Sequence, residues 1–257
     1  MREFASKLGH IKLTFVIGFI SVLLSVAIAY SAVIIFGTPF IWTNFILAII
    51  IPAIIAPSVS WFFLKMYFRM EELEHEMRIM ATYDPLTGLL TRKAFLDMSE
   101  EIYKKVLKDK RVFSVLYIDL DDFKKINDVY GHEGGDKVLS FFGEKLISIF
   151  RENDIIGRLG GEEMAVLVLD VEPKVLAGII KRMQKAISSA NIILDKQSIN
   201  FTASIGISIC TPQNRIPLDG LLAQADKALY KAKNSGKNCA YIYKGEENYE
   251  QLVSSNR

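Results

Sequence analysis

Three carboxylates stand where chemistry can be done: Asp119, closing an apolar run, and the adjacent pair Glu162 and Glu163, which follows Gly160 and Gly161. A tight hairpin turn asks for Gly, Asn or Asp, and a Gly-Gly pair meets that need without any acid. The two glutamates therefore need another reason. Setting Asp119 beside Glu162 costs Coulomb repulsion unless a cation lies between them. Hard oxygen ligands at a strand end suit Mg²⁺ bound to a nucleoside triphosphate. Either half alone reads as a solvated acidic turn; the two halves together point to a metal and nucleotide site.

The elements that must position these acids follow from periodicity. Residues 112–120 read as a buried strand, 123–129 and 135–150 as helices, and 155–169 as a hairpin turning at Gly160 and Gly161. A helix over 173–189, a strand over 200–210, an amphipathic helix over 217–234 and a short strand near Tyr241 complete the set. The expected class is α+β, with helices packed on a sheet. The domain spans about residues 82–245, and 246–257 reads as a polar tail.

Taken jointly, these residues resemble the GGDEF family, the diguanylate cyclases, whose signature turn stands here as Gly160-Gly161-Glu162-Glu163-Met164. The resemblance extends through Asp84-Pro85-Leu86-Thr87-Gly88-Leu89 and Asp119-Leu120-Asp121-Asp122-Phe123-Lys124-Lys125-Ile126-Asn127-Asp128, then on to Gly131-His132-Glu133-Gly134-Gly135-Asp136. It covers about residues 82–243. It implies a nucleotidyl-cyclase-like, ferredoxin-like palm that condenses two GTP into cyclic di-GMP and two pyrophosphates.

By similarity to the family, Asp119, the carbonyl of Leu120 and Glu162 hold two Mg²⁺ ions, or Mn²⁺ in their place, against the triphosphate. Glu162 and Glu163 are the catalytic acids, Glu163 serving metal binding, proton removal or a hydrogen bond within the turn. Phe123 and Lys124 fall on GTP-binding positions, and Asn127 and Asp136 on those that read guanine. A carboxylate can accept from the N1 and N2 donors of guanine, which adenine lacks. Outside the motif, Asn127 reads as an ordinary polar helix residue and Asp136 as a helix N-cap. Lys233 and Lys237, in the run Ala225-Asp226-Lys227-Ala228-Leu229-Tyr230 to Asn238, match phosphate-contacting positions. Position 237 is commonly Arg in the family; Lys offers a point charge in place of a fork, so weaker phosphate binding is expected. Met164 replaces the usual Phe, a change of packing at the turn. Arg151 and Asp154 form an R-x-x-D pattern with five residues before Gly160. In the family this is the allosteric site at which cyclic di-GMP inhibits its own synthesis, although a surface ion pair gives the same pattern.

Residues 13–64 contain no Asp, Glu, Lys, Arg or His. That length is about twice the ~20 residues needed to cross a hydrocarbon core. Gly37, Thr38 and Pro39 interrupt it, so two spans are expected at residues 13–36 and 41–64, with Tyr30 and Trp42 near one interface. A cleaved signal peptide fits less well, because the first segment is too long and a second apolar segment follows without a cleavage site. Arg2, Lys7 and Lys12 precede the first span and Lys65 and Arg69 follow the second. The expected location is a bacterial inner membrane, with residues 1–12, the catalytic domain and both termini cytoplasmic. Pro52 and Pro57 each remove a helical hydrogen bond, as a moving kink or a tolerated bend.

Within the expected linker, residues 65–81, Met66, Met70, Leu73, Met77 and Met80 recur at heptad spacing, with Glu71, Glu72, Glu74, Glu76 and Arg78 on other faces. A short parallel coiled coil in a homodimer fits, as does a helix packed on its own domain. Each family domain takes one GTP, so the two-fold product requires two sites facing each other.

With 31 basic and 29 acidic residues, the formal charge of +2 gives no concentrated basic field, which excludes polymeric nucleic acid as the expected partner. Cys210 and Cys239 lack metal-ligand spacing and read as reduced thiols. Two rival classes remain: a receptor that binds cyclic di-GMP through Arg151 and Asp154 without turnover, and a membrane scaffold. The receptor's usual mark is a damaged signature turn, whereas Asp119, Glu162, Glu163, Asn127 and Asp136 are all intact here; a scaffold would not need so complete a nucleotide constellation.

Overall fold

The computed structural model describes residues 2–37, 41–109, 111–194, 197–245 and 248–254. The chain divides into two units, Met1–Arg78 and Ile79–Arg257.

The first unit is helical, with α1 at Arg2–Phe36 and most of α2, which runs over Trp42–Thr82. Mean hydropathy reaches 2.5 over Lys12–Phe36 and 2.2 in α2, so both helices are long and apolar enough to cross a membrane. Thr38 and Pro39 of the expected turn lie outside the described residues. The helix continues through Pro52 and Pro57. Pro57 packs where α1 carries Gly18: a Cβ at that glycine would lie 2.9 Å from Pro57 Cγ. Ser31 and Ser58 donate back to the carbonyls of Ala27 and Ile54 at 2.8 and 2.7 Å, which satisfies both hydroxyls within their own helices. Met66, Met70, Met77 and Met80 are exposed, as is Leu73, and ion pairs Arg69–Glu72 and Arg78–Glu74 lie beside them.

The second unit is α+β. Its elements are β1 (Leu90–Thr91), α3 (Arg92–Asp109), β2 (Phe113–Leu120), α4 (Phe123–Ile149), β3 (Ile155–Gly160), β4 (Glu163–Leu169), α5 (Pro173–Ser188), β5 (Ile192–Leu194), β6 (Gln197–Ile199), β7 (Ala203–Cys210), α6 (Leu218–Asn234), β8 (Ala240–Gly245) and β9 (Asn248–Val253). Seven strands form one mixed sheet in the order β1-β3-β4-β2-β7-β8-β9, with β5 and β6 a separate hairpin. The central strand β2 is antiparallel to both β4 and β7.

Alternation along β2 divides the core. Leu116, Ile118 and Leu120 join the cluster under α4 and α5, whereas Phe113 and Val115 face α3 and α6. Asp119 therefore emerges on the α3 and α6 face, and so does Glu163 of β4, whose neighbours Ala165 and Leu167 lie in that cluster. Met164 points the other way and is fully buried, so the apolar residue after the second acid anchors the turn from below. The helix α6 seats directly on β7, because a Cβ at Gly206 would collide with the backbone of Ala225 and Leu229.

The two helices expected at 123–129 and 135–150 are the two parts of α4, parted at Gly131, whose φ of 68° and ψ of 176° only glycine adopts at low cost. The expected polar tail is corrected: β9 pairs antiparallel with β8 and covers that edge of the sheet. The strand expected over 200–210 begins at Ala203. The elements β1, α3, β5 and β6 were not among those expected.

Candidate active site

The site gathers at the end of β2. Asp119 stands opposite Glu163 in the ladder with β4 and opposite Ser204 in the ladder with β7. Antiparallel partners lie side by side, at about 5 Å between Cα atoms, so the register alone brings the two carboxylates to one edge. Beyond them, Gly161, with φ of 34°, and Glu162 make the turn. The Leu120 N–H donates to the Glu162 carbonyl at 3.4 Å, tying the turn to the strand end that carries the Leu120 carbonyl.

Asp119 is buried and Lys233 Nζ lies 2.8 Å from its Oδ2. Burial pushes the Asp119 carboxyl up; Lys233 opposes the push, and the charges of Glu162 and Glu163 add to it. A divalent cation would relieve what Lys233 relieves only in part. Among the described residues no group of three or more His, Cys, Asp or Glu side chains is arranged to hold a metal. The residues that could hold one are two carboxylates, Asp119 and Glu162, with the Leu120 carbonyl, hard oxygens of the kind that suit Mg²⁺ when phosphate oxygens complete its shell.

Cations flank the acids. Lys237 Nζ lies 2.8 Å from Asp122 Oδ2, and Lys125 lies 2.8 Å from Asp122 Oδ1. Hydrogen bonds from these two lysines hold the Asp122 carboxyl down at about 2, and Asp122 raises Lys237 in turn. Both lysines expected to meet phosphate, 233 and 237, thus project to the edge that holds Asp119.

The expected guanine readers also come together. Gly135 packs so tightly on Asn127 that a Cβ there would overlap Asn127 Oδ1, and Asp136 is the next residue, exposed. Phe123 is buried, its ring against the same glycine, so only its backbone remains for a ligand; Lys124 is exposed.

The R-x-x-D pair sits at the opposite end of β3 from the signature turn, about 20 Å away at ~3.3 Å per residue. The Asp154 carboxylate accepts the backbone N–H groups of Arg151 at 2.9 Å and Leu169 at 3.3 Å. Asp154 is a turn-forming residue as well as a surface acid. Arg151 is exposed and lines two adjoining shallow cavities with Asn153 and Asp154.

Three supporting residues escaped the sequence reading. Arg158 joins Asp84 to the Gly161 carbonyl. The Tyr117 hydroxyl donates to Glu163 Oε2 at 3.4 Å. Asp121, quoted in the motif without a role, is buried with three donors on its carboxylate. A lone Arg in an apolar strand and a second Asp two residues after the first were the available signals.

Residues 81–239 match the family model for the diguanylate cyclase, GGDEF domain. Over 168 residues the chain is 36% identical to the bifunctional diguanylate cyclase/cyclic di-GMP phosphodiesterase MucR of Pseudomonas aeruginosa, covering 63% of this chain and 24% of that protein. It is 35% identical over 168 residues to the response regulator PleD of Caulobacter vibrioides, covering 65% and 37%. The chain thus spans well under half the length of these two curated relatives. The coiled coil and GGDEF domain of DgcB from Caulobacter crescentus, solved in complex with c-di-GMP, aligns with a TM-score of 0.64 at 25% identity over 70% of this chain and 94% of that one. The acids at the end of β2, the turn that faces them and the matched residues together establish that this chain belongs to the GGDEF-domain family of diguanylate cyclases.

Proposed function

We propose that the chain is a membrane-anchored diguanylate cyclase that condenses two GTP molecules into cyclic di-GMP with release of two pyrophosphates. The observation that carries this reading is the meeting of Asp119 with Glu163 across the ladder, Glu162 beside them and Lys233 and Lys237 at the same edge.

Asp119, the Leu120 carbonyl and Glu162 would hold the divalent ions, two per site. When bound there, Mg²⁺ or Mn²⁺ would supply Lewis-acid polarisation of the α-phosphate and lower the pKa of the attacking 3′-hydroxyl. Lys233 and Lys237 bind the triphosphate, exchanging their carboxylate partners for phosphate oxygens. Asn127 and Asp136 orient the guanine, and Glu163, oriented by Tyr117, takes the proton of the 3′-hydroxyl. The exposed stripe Met66, Met70, Leu73, Met77 and Met80 supports a homodimer that brings two half-sites together. The two apolar helices support an inner-membrane anchor with both termini and the catalytic domain in the cytoplasm. Arg151 and Asp154 bind cyclic di-GMP as inhibitor.

The test is incubation of the detergent-solubilised protein with GTP and Mg²⁺, following product by chromatography beside a Glu162→Ala, Glu163→Ala control. Cyclic di-GMP from the intact protein alone supports the cyclase. No product, with cyclic di-GMP binding that Arg151→Ala abolishes, replaces the cyclase with a receptor.

A further inference from the structure

The Asp121 carboxylate is 5% exposed although it follows β2 directly into the loop at the active-site edge. Its Oδ2 accepts the Thr202 hydroxyl at 2.6 Å and the Asn238 backbone N–H at 3.0 Å, and its Oδ1 accepts the Ser204 hydroxyl at 2.6 Å. Its own N–H donates to the Thr202 carbonyl at 2.8 Å. One buried side chain therefore ties together the end of β2, the start of β7 and the turn between α6 and β8.

That turn is conformationally costly. Gly236, Lys237 and Asn238 have φ of 105°, 62° and 47°, three successive residues in the left-handed region. Each non-glycine residue there costs about 1 kcal/mol or more unless its surroundings hold it. What holds it is visible on both sides: Asp121 takes the Asn238 N–H, and Gln184 Nε2 donates to the Asn238 carbonyl at 2.9 Å. In this conformation Lys237 Nζ reaches Asp122, the residue after Asp121.

We infer that Asp121 is a positioning residue for the phosphate half of the nucleotide: it fixes the Lys237–Asn238 turn against the strand end that carries Asp119 and Leu120. The assignment rests on the cyclase reading, since it takes the ligand at this edge to be a nucleoside triphosphate. Burying a carboxylate merely to join two strands is a poor stabilising device, because desolvation opposes it and apolar pairs join strands without that cost. A donor that cannot turn around, the Asn238 N–H, explains the choice of an acceptor here. The same asymmetry predicts a conservative rescue. In Asp121→Asn the amide oxygen takes the Oδ2 place, and the NH₂ donates to a Ser204 hydroxyl rotated to accept.

The experiment measures affinity of the full-length, solubilised protein for a non-hydrolysable GTP analogue with Mg²⁺ and, separately, for guanosine. Asp121→Ala is expected to weaken the analogue about tenfold, the scale of a lost charge-assisted hydrogen bond, while leaving guanosine within about twofold. In a Lys237→Ala background, Asp121→Ala should add less than about twofold, because both act through one contact. Asp121→Asn should stay within about threefold of the wild type. Losses that multiply in the double variant, or guanosine affinity falling in step with the analogue, overturn the assignment. If Asp121→Ala does not fold, Asp121→Ser, whose shorter side chain does not span to the Asn238 N–H, carries the same cycle with the same deciding outcomes. Wild-type protein that binds no analogue overturns this assignment together with the cyclase reading; wild-type binding with multiplying losses overturns this assignment alone.

Discussion

Arg158 Nη1 lies 3.1 Å from both carboxylate oxygens of Asp84, and the same guanidinium donates through Nε and Nη2 to the Gly161 carbonyl at 3.0 and 2.8 Å. One side chain thus fastens the Asp84–Leu89 segment to the turn that presents Glu162. The ion pair is mostly buried, 17% and 20% exposed, so its bonds are not screened as a surface pair's are. Lysine can reach one partner but not fork to both. Arg158→Lys is expected to destabilise the domain by about 2 kcal/mol and to slow turnover about tenfold through a loosened turn. The urea midpoint and kcat check this together. Lost activity at an unchanged midpoint would show that Arg158 touches substrate instead.

Asp84 adds a pH dependence. Burial raises its carboxyl, but hydrogen bonds from the Thr87 hydroxyl and N–H and from Arg158 outweigh it, leaving the carboxyl below its ordinary 3.8. A depressed native value means that the folded state binds fewer protons than the unfolded one. The stabilisation is therefore complete above 3.8 and is lost as pH falls through the lower native value. Asp84→Asn should lower the urea midpoint at about pH 6, with the gap to wild type closing as pH falls below 3.8 and through the lower native value. A gap independent of pH would assign the effect to shape and not to charge.

The hairpin that carries Glu162 and Glu163 was legible because strand alternation and a Gly-Gly turn fix its register locally; the neighbour expected for Asp119 was Glu162, whereas the non-local ladder sets Glu163 opposite it. The contacts that brace the site were not legible. Asp121 meets Asn238 across 117 positions, and Arg158 meets Asp84 across 74, separations at which no periodicity carries information. The strands β1, β5 and β6, of two or three residues each, are too short for alternation to appear. β9 reads as a tail because Glu250 and Gln251 are exposed and only Val253 is buried. The helix α3 is different: Phe95, Ile102 and Val106 recur near helical spacing, so its signal was present in the chain.

Tyr117 tests the role of Glu163. Burial, reinforced by the charges of Glu163 and Asp226, pushes its hydroxyl up to about 12, so it remains a neutral donor throughout the working range. Tyr117→Phe keeps the ring in place beneath α6 and removes only that donor. The bond is long at 3.4 Å, and a loss near 1 kcal/mol, about fivefold in kcat, is expected with KM for GTP nearly unchanged. A rise in KM at constant kcat would place Glu163 in substrate binding and not in proton removal.

Gly135→Ala probes guanine recognition without removing any polar group. The added methyl would overlap Asn127 Oδ1 and crowd the Phe123 ring at 3.1 Å, and the far end of Asn127 is the part able to move. Within a helix, alanine is favoured over glycine by about 1 kcal/mol, which offsets part of the crowding. Stability should therefore change little while the displaced amide no longer meets the base. KM for GTP should rise about tenfold, with kcat less affected, as for a lost uniform binding contact. Inosine triphosphate, which lacks the 2-amino group, should lose less, so the preference for GTP narrows. Steady-state rates with both nucleotides decide the matter. An unchanged GTP preference beside a collapsed kcat would mean that Asn127 supports the loop and does not read the base.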